Sequence, residues 1–157
     1  MKILKEGDKA PIFKGIDQHG EEITLDQYKG KKVVLYFYPK DNTPGCTAES
    51  CNLKDNYDDF VKKGFDIIGV SPDSEASHIK FIAKYDLPFR LISDPEKEIL
   101  KSYNAWGEKK LYGRVYDGVL RKTFIIAEDH TIEKIFEKVK TKDHTNQIFK
   151  ELEIKYK

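Results

Sequence analysis

Cysteine is scarce in this chain, with two residues among 157, at positions 46 and 51. The N-terminus lacks the apolar stretch of a signal peptide, and every apolar run falls well short of the roughly 18 residues that a membrane span needs. We therefore expect a cytoplasmic protein that makes no contact with a membrane. In such a reducing compartment, redox catalysis or metal binding explains two cysteines better than a static disulfide does.

An excess of charge of either sign is also missing. The chain has 28 basic and 27 acidic residues, which gives a formal net charge of +1 at pH 7. A balanced charge provides no electrostatic attraction for nucleic acid or for an anionic membrane surface. We therefore expect neither of them as a partner.

The histidines form no zinc-binding pattern. They occur singly along the chain, whereas structural zinc sites use ligand pairs at short and regular spacings. We therefore expect no metal and no cofactor, and we interpret His19, His78, His130 and His144 as solvated surface residues.

Strand and helix patterns alternate along the chain. Residues 32–38 are a continuous run rich in β-branched and aromatic residues, typical of a central strand buried on both faces, and Pro39 ends it. The order strand, helix, strand, helix, hairpin and helix predicts one α/β domain over residues 1–157. Its mixed sheet should be parallel at the helical crossovers and antiparallel at the hairpin. The predicted strands are 32–38, 65–71 and 90–93, with a hairpin of 119–127 and 131–139. The predicted helices run from Cys46 to Gly64, from Ser74 to Tyr85 with Ser74 as the N-cap, from Pro95 to Ser102 and from Asn146 to Ile154. Residues 103–118 are predicted to be a long loop.

Two of the predicted helices carry an apolar stripe that should face the core. Cys46 lies seven residues before Leu53, which places it on the same stripe at the start of the first helix. The stripes consist of Leu53, Tyr57, Phe60 and Val61 in the first helix and of Ile148, Phe149, Leu152 and Tyr156 in the last.

The segment from Tyr38 to Cys46 combines the features of an activated cysteine. A buried strand leads into a turn rich in proline and glycine, and Cys46 then opens a helix, with Thr43 three residues before it. The thiolate is the nucleophilic form of cysteine, and the unpaired N–H groups and dipole of a helix N-terminus favour an anion. Pro44 fits the first helical turn, where its missing N–H would have had no partner. The pattern indicates a nucleophile, while a small buried hydrophobe at the start of a helix stays open as the alternative.

Cys51 follows Cys46 by five residues, which is not the spacing of a Cys-x-x-Cys redox motif. On an intact α-helix, residues i and i+5 lie roughly 8–9 Å apart at Cα, whereas a disulfide needs less than about 7 Å. Either the two cysteines are unrelated, or they form a bond only when part of the helix unwinds.

Arginine is used at only three positions, 90, 114 and 121. Arg121 immediately precedes an apolar run that should be a core strand. At the mouth of that strand its guanidinium could direct a rigid set of donors at an anion. An ordinary surface ion pair explains the residue equally well.

Pro39, Thr43 and Cys46 form the pattern Pro-x-x-x-Thr-x-x-Cys, which matches the active-site motif of the peroxiredoxins. The longer string Phe37-Tyr-Pro-Lys-Asp-Asn-Thr-Pro-Gly-Cys-Thr-x-Glu49 resembles the bacterioferritin comigratory protein, or PrxQ-type, branch of that family. The similarity extends from about residue 7 to the end of the chain and includes Gly7-Asp-x-Ala-Pro11, Gly69-Val-Ser-x-Asp73, Leu91-Ile-Ser-Asp94, Trp106-Gly-Glu-Lys109 and Arg121-x-Thr-Phe-Ile-Ile126.

The resemblance implies a thioredoxin-like fold with an N-terminal β extension. It implies that Cys46 is the peroxidatic cysteine, that Thr43 and Arg121 surround it and that Pro39 shields it. It further implies that Cys51 is the resolving cysteine, and that the protein is a monomer reduced by thioredoxin.

These expectations combine into one reaction sequence. The Cys46 thiolate attacks the terminal oxygen of hydrogen peroxide or an organic hydroperoxide, water or an alcohol leaves, and the sulfur becomes a sulfenic acid. Thr43, Arg121 and backbone N–H groups hold the two oxygens and the developing negative charge. Cys51 then condenses with the sulfenic acid, and a dithiol reductase reopens the disulfide.

Two other functions compete with this interpretation. A thioredoxin-type disulfide reductase would exchange thiols without consuming peroxide, and the missing Cys-x-x-Cys motif argues against it. A non-enzymatic binding or chaperone module would consume peroxide no faster than free cysteine does.

Overall fold

The structure is a computed structural model that describes residues 3–152, except for the side chain of Leu111. Within that range the strands are β1 (Lys14–Asp17), β2 (Glu22–Thr24), β3 (Lys32–Phe37), β4 (Phe65–Ser71), β5 (Arg90–Ser93), β6 (Trp106–Leu111), β7 (Arg114–Val119), β8 (Lys122–Ile126) and β9 (Ile132–Phe136). The helices are α1 (Pro44–Asp55), α2 (Tyr57–Lys62), α3 (Glu75–Tyr85), α4 (Glu98–Ser102) and α5 (His144–Glu151), and Leu25–Tyr28 form a short 3-10 helix.

Seven of these strands form one mixed sheet in the order β2-β1-β5-β4-β3-β8-β9. The pairs β3–β4 and β4–β5 are parallel, and β8 pairs antiparallel with both β3 and β9. This confirms the predicted mixed sheet. β1 and β2 extend its edge beyond β5, which confirms the expected N-terminal β extension.

The central strand β3 is buried on both faces, as its apolar run predicts. Alternate side chains point into two separate core clusters, because successive residues of a strand face opposite sides. One cluster receives Val33, Leu35 and Phe37, and the other receives Val34, Tyr36 and, just after the strand, Tyr38. The second cluster also contains Cys46, Leu53, Phe60, Phe81 and Phe149, which lie on α1, α2, α3 and α5. The helices that surround Cys46 therefore pack on one face of the sheet.

Residues 103–118 are not the predicted long loop. β6 and β7 pair antiparallel from Trp106↔Val119 to Leu111↔Arg114, and Tyr112 and Gly113 form the turn with φ angles of 51° and 77°. Positive φ at both turn positions is the geometry of a tight β-hairpin. The prediction was wrong because this ribbon projects from the core, so its strands need no apolar alternation; β7 is exposed over most of its length.

The predicted helix from Cys46 to Gly64 is two helices. α1 ends at Asp55 and α2 begins at Tyr57, with Asn56 between them at φ −113° and ψ 13°. The side-chain amide of Asn56 donates to the carbonyl of Asn52, which offers a local alternative to continued helix. Val61 was wrongly placed on the inward stripe, because it is 49% exposed on α2.

The remaining boundaries differ by a few residues from the prediction. Ser74 is the N-cap of α3 and accepts a hydrogen bond from the Ser77 N–H, as expected. In α5, Ile148 and Phe149 are buried as predicted, while Ile154 and Tyr156 lie outside the described residues. None of the helices within residues 3–152 has the length and apolar character needed to cross a membrane.

A close approach in the sheet requires glycine at position 69. A Cβ atom there would lie 2.7 Å from Leu91 Cδ2 and 2.9 Å from Tyr36 Cζ. The missing side chain thus makes room for the Tyr36 ring, whose hydroxyl lies 2.8 Å from Ser50 Oγ on α1. Gly69 therefore contributes to the packing of α1, the helix that carries Cys46, against the sheet.

We expect Gly69→Ala to lower the free energy of unfolding by roughly 1–3 kcal/mol, the usual cost of overpacking a core. Gly107→Ala is the matched control, because its Cβ would meet only the terminal Leu120 Cδ1, at 3.3 Å. Urea denaturation measures the free energy of unfolding of both variants. Equal stability losses in the two variants would contradict the assigned close approach.

Candidate active site

Cys46 lies in the first turn of α1, directly behind the end of β3. The Tyr38 N–H continues the ladder by donating to the Val70 carbonyl, and the chain then turns over residues 39–43. α1 begins at Pro44 with Thr43 as its N-cap, so the proline occupies the position where it costs no hydrogen bond. Cys46 is 1% exposed and borders the core cluster on that face.

Arg121 contacts the sulfur directly. Its Nη2 donates to Cys46 Sγ at 3.2 Å, and its Nη1 donates to Glu49 Oε1 at 2.6 Å. The antiparallel register Phe37↔Lys122 produces this contact, because it places Arg121 beside the end of β3. The guanidinium therefore contacts the sulfur as well as a carboxylate, and its ion pair with Glu49 is not on the surface, because the Glu49 side chain is 0% exposed. Its role toward an anion stays a prediction.

Thr43 and Pro39 belong to the loop that precedes Cys46. The Thr43 hydroxyl donates to the Lys40 carbonyl at 3.0 Å, which leaves its oxygen lone pairs as acceptors. Its own carbonyl accepts the first intrahelical bond, from the Thr47 N–H. Pro39 is half-buried immediately after β3.

Cys51 lies on the same continuous helix as Cys46, and both are free thiols. This confirms that the helix runs intact past Cys51 in the reduced protein. Cys51 is half-buried, and burial raises the pKa of its thiol; Lys54 lowers that pKa and Asp55 raises it by smaller amounts. The two cysteines are thus in different electrostatic surroundings, and of the two it is Cys46 that the Arg121 guanidinium contacts.

Glu49 is a site residue to which the sequence interpretation assigned no role. It is fully buried one turn after Cys46, and it shares the Arg121 guanidinium with the sulfur. Burial raises the pKa of Glu49 to about 7, although the adjacent Arg121 opposes this. Its Oε2 has no hydrogen-bond partner among the described residues. The spacing i, i+3 was the available signal, because it places Glu49 and Cys46 on one helix face.

His144 lies behind Glu49, with Nε2 3.7 Å from Glu49 Oε2. Its Nδ1 lies 2.8 Å from Gln147 Oε1, which can only accept, so Nδ1 carries the hydrogen and Nε2 accepts from the Thr123 hydroxyl at 2.8 Å. Burial lowers the pKa of His144 to about 4, so the ring is neutral near neutral pH.

Two of the four histidines are therefore not solvated, contrary to prediction. His78 and His144 are both 0% exposed, and both nitrogens of each ring have hydrogen-bond partners. Three of these four partners come from distant segments, and only Gln147, three residues after His144, is local. The sequence around either histidine therefore gives little sign of its burial.

One trio of potential metal ligands converges within residues 3–152: Asp41, Asp73 and His78, whose ligand atoms lie within 4.8 Å of one another. Their polar atoms already bond within the protein, since His78 Nδ1 lies 2.7 Å from Asp41 Oδ2 and the Asp41 N–H donates to Asp73 Oδ2 at 2.7 Å. We assign no metal to these residues.

The site thus combines a buried helix-opening cysteine with a guanidinium donor, which is an arrangement for attack by a thiolate. The AhpC/TSA family model matches residues 6–135 of this sequence. The chain belongs to this family. It is 44% identical over 149 residues to Peroxiredoxin Bcp of Bacillus subtilis, covering 95% of each chain. It is 42% identical over 144 residues to Peroxiredoxin Bcp of Escherichia coli K12, covering 92% of each chain.

Solved structures of PrxQ and bacterioferritin comigratory proteins show the same fold. PrxQ of Xylella fastidiosa superposes with a TM-score of 0.88 at 30% identity, covering 98% of each chain. The bacterioferritin comigratory protein of Xanthomonas campestris, studied for its alkyl peroxide reduction activity, superposes with a TM-score of 0.84 at 33% identity, covering 90% of this chain and 89% of that one. These thioredoxin-fold peroxiredoxins confirm the expected fold and the PrxQ-type branch.

Membership in this branch makes the chain a peroxidase, an oxidoreductase of the peroxiredoxin type. Its substrate is a hydroperoxide, and its electrons come from a thiol reductant. The reaction steps and the identity of the reductant are finer questions that depend on the residues described above.

The buried Glu49 carboxyl predicts a pH-dependent stability. Its pKa rises from 4.5 to about 7 on folding, so the native state binds this proton more tightly than the unfolded chain does. The stabilisation is complete below the unfolded pKa and is lost as pH rises through about 7. Relative to Glu49→Gln, the parent should lose about 3 kcal/mol in free energy of unfolding between pH 5 and 8.

Urea denaturation of both proteins at several pH values measures this difference. Ser50→Ala is the control, because it removes a neighbouring hydrogen bond of α1 without changing a group that titrates in this range. If the difference in free energy of unfolding between the parent and Glu49→Gln stays constant from pH 5 to 8, the raised pKa assigned to Glu49 is contradicted.

Proposed function

We propose that Cys46 is the peroxidatic cysteine of a thiol peroxidase that reduces hydrogen peroxide and organic hydroperoxides. In this mechanism Cys46 becomes a sulfenic acid, Cys51 resolves it as an intramolecular disulfide, and thioredoxin reopens that disulfide. The observation that carries the proposal is the 3.2 Å contact between Arg121 Nη2 and Cys46 Sγ at the start of α1. A cation and a helix N-terminus together favour the thiolate, which is the attacking species.

The first step breaks the peroxide O–O bond. The thiolate attacks the terminal oxygen of the hydroperoxide, and a bond forms between sulfur and that oxygen. The other peroxide oxygen leaves as hydroxide or alkoxide and takes up a proton. Cys46 is oxidised to sulfenic acid, and the peroxide is reduced to water or an alcohol.

Two sets of donors stabilise the negative charge that develops in this step, and Thr43 orients the incoming peroxide. The guanidinium of Arg121 donates to the oxygens, and Glu49 holds it in place through the 2.6 Å bond to Nη1. The backbone N–H groups of Gly45 and Cys46 precede the first intrahelical bond, and in this mechanism they donate to the same oxygens. The Thr43 hydroxyl, whose hydrogen is given to Lys40, accepts the O–H of the incoming peroxide.

Gly45 leaves room for this arrangement. A Cβ atom at that position would lie 3.4 Å from Arg121 Nη2, against the donor that contacts the sulfur. Pro39 follows β3 and is half-buried beside the same loop, where its rigid ring limits access of water to the sulfur.

The second step joins Cys46 and Cys51 and releases water. On α1 the two Cα atoms are roughly 8–9 Å apart, beyond the reach of a disulfide, so the helix has to unwind first. Unwinding breaks the contacts that hold α1, which include Tyr36–Ser50 and the bonds of Asn52 to Thr145 N–H at 2.8 Å and to the Lys142 carbonyl at 3.2 Å.

The break at Asn56 limits how far the unwinding extends. α2 is a separate helix that keeps Phe60 in the core, so α1 can melt without removing that anchor. Melting of one or two turns is a local opening of the kind that native proteins make at modest cost.

The third step is thiol exchange with a dithiol protein. An unwound segment presents the disulfide to solvent, where a reductase thiolate can attack one sulfur. We propose thioredoxin as that reductase, on the resemblance of the chain to its branch. A cytoplasmic location, a monomeric state and a single domain over residues 1–157 stay predictions.

The cysteine assignments predict distinct behaviour for two variants. With thioredoxin, its reductase and NADPH, Cys46→Ser should lose peroxide turnover by at least about a thousandfold, since it lacks the nucleophile. Cys51→Ser should consume peroxide in a single turnover, accumulate sulfenic acid and then stall. Stopped-flow loss of peroxide, with mass spectrometry of the protein, measures both outcomes.

The same assay separates the competing functions. A disulfide reductase would exchange thiols without consuming peroxide, and a binding module would consume it no faster than free cysteine. Substantial turnover by Cys46→Ser would sink the assignment of the nucleophile, and repeated turnover by Cys51→Ser would sink that of the resolving residue.

The geometry of α1 predicts a change in amide exchange on oxidation. Residues 46–56 should exchange slowly in the reduced protein and fast in the disulfide form, because the disulfide requires an unwound α1. Hydrogen–deuterium exchange of the two forms measures this, and α3 is the internal control, with equal protection in both. Equal protection of residues 46–56, with the disulfide confirmed by mass, would rule the unwinding out.

A further inference from the structure

The loop of residues 39–43, here called the peroxidatic loop, is held by a buried carboxylate. Asp41 forms hydrogen bonds with three side chains, at 2.6 Å from the Tyr38 hydroxyl, 2.8 Å from Ser77 Oγ and 2.7 Å from His78 Nδ1. Two of these partners lie on α3, which therefore contacts the loop. No other side chain of the loop has as many partners among the described residues.

Hydrogen-bond geometry places one hydrogen of the His78 ring. Its Nε2 lies 3.0 Å from the carbonyl oxygen of Ile92, which can only accept, so Nε2 carries a hydrogen. Its Nδ1 lies 2.7 Å from Asp41 Oδ2, so a second hydrogen bond joins the ring to the carboxyl group. The two side chains of this pair are 0% and 3% exposed.

A buried polar pair of this kind is weak evidence for stability, because desolvation of the two groups offsets most of their attraction. It does fix geometry, since removing one partner leaves the other buried polar group without a hydrogen-bond partner. Because Asp41 lies in the peroxidatic loop, we expect the pair to fix the conformation of that loop.

The loop is fixed at the neighbouring residues too. Asn42 has the left-handed φ of 62°, and its Oδ1 accepts from the Tyr85 hydroxyl at 3.0 Å and from Lys84 Nζ at 3.3 Å, again from α3. The Asp41 N–H donates to Asp73 Oδ2, which also accepts from Ser71 Oγ at 2.8 Å.

This fixed loop determines where the Thr43 hydroxyl points. Thr43 Oγ1 donates to the carbonyl of Lys40, the residue directly before Asp41. Rotation of the Lys40–Asp41 peptide would move that carbonyl and, with it, the hydroxyl that receives the peroxide. A displacement of about 1 Å at a reacting centre can cost on the order of a hundredfold in rate.

We propose that Asp41 and His78 are positioning residues for the peroxide step, through which α3 sets the conformation of the peroxidatic loop. The inference rests on the proposed function, because it concerns the reaction of Cys46 with peroxide. It assigns neither residue a contact with substrate.

The test uses the Cys51→Ser protein as the parent, so that Cys46 is the only thiol. Two second-order rates are measured on each variant by stopped flow or mass spectrometry: reaction of Cys46 with hydrogen peroxide, and its alkylation by iodoacetamide. Alkylation reports the accessibility and thiolate content of Cys46, but it does not need Thr43 to bind a peroxide oxygen.

Asp41→Ala should lower the peroxide rate by roughly ten- to a hundredfold while the alkylation rate stays within about threefold. Asp41→Asn should recover most of the peroxide rate, because its amide can donate to a neutral His78 Nδ1 and its carbonyl can accept from Tyr38. Rescue by the amide separates positioning from a requirement for charge.

Tyr103→Phe is the control for loss of a buried hydrogen bond elsewhere. Its hydroxyl donates to the Pro11 carbonyl at 2.6 Å in the other core cluster, and its loss should leave the peroxide rate within about twofold of the parent. If Asp41→Ala does not fold, Tyr38→Phe tests the proposal in its place, because it keeps the ring and removes only the 2.6 Å bond to Asp41. Tyr38→Phe should lower the ratio of peroxide rate to alkylation rate by roughly three- to tenfold.

Two results would overturn the proposal. One is a folded Asp41→Ala variant, or Tyr38→Phe in its place, with a peroxide rate within about twofold of the parent. The other is an equal fall of both rates, which would show a general structural effect. Failure of the proposed function is distinguishable, because the Cys51→Ser parent itself would then react with peroxide no faster than free cysteine.

Discussion

The contact between Arg121 and Cys46 is the interaction on which the rest of the site depends. A guanidinium on one strand donates to a sulfur on a helix that is 75 residues earlier in the chain. The antiparallel register of β3 and β8 creates the contact, and the buried Glu49 holds the guanidinium in the required orientation. The sheet thus supplies the position of the cation, and α1 supplies both of its acceptors.

The same arrangement explains why the site is rich in buried ionisable groups. Cys46, Glu49 and Arg121 share a small volume with the neutral His144, so the one guanidinium faces two groups that can each be anionic. Burial of the Glu49 carboxyl raises its pKa, although Arg121 opposes this. Perturbed ionisable groups of this kind cluster at functional sites.

The mechanism we propose couples redox chemistry to helix stability. In it, α1 activates Cys46 only while it is folded, whereas a bond to Cys51 requires it to be unwound. The helix is suited to both states, because Glu49, Ser50 and Asn52 hold it through polar contacts that can re-form, and Asn56 separates it from α2. α3 holds Asp41 and Asn42 of the peroxidatic loop through separate hydrogen bonds.

The sequence by itself determined the mixed sheet, the buried strand β3 and a helix that starts close to Cys46, and it predicted the nucleophilic character of Cys46. These follow from local rules: strand hydrophobicity, turn residues, proline tolerance at a helix N-terminus and the chemistry of a thiol placed there. It also left two acceptable explanations of Arg121, and it led to wrong predictions for the β6–β7 ribbon, the helix break at Asn56 and the burial of His78 and His144. Only the tertiary structure decided these points, because each depends on a partner distant in the chain, on a side-chain bond that competes with the helix, or on whether a strand meets the core. Arg121 needs the register of β8, and His78 needs Asp41 on another element, so neither contact is encoded in the spacing of neighbouring residues.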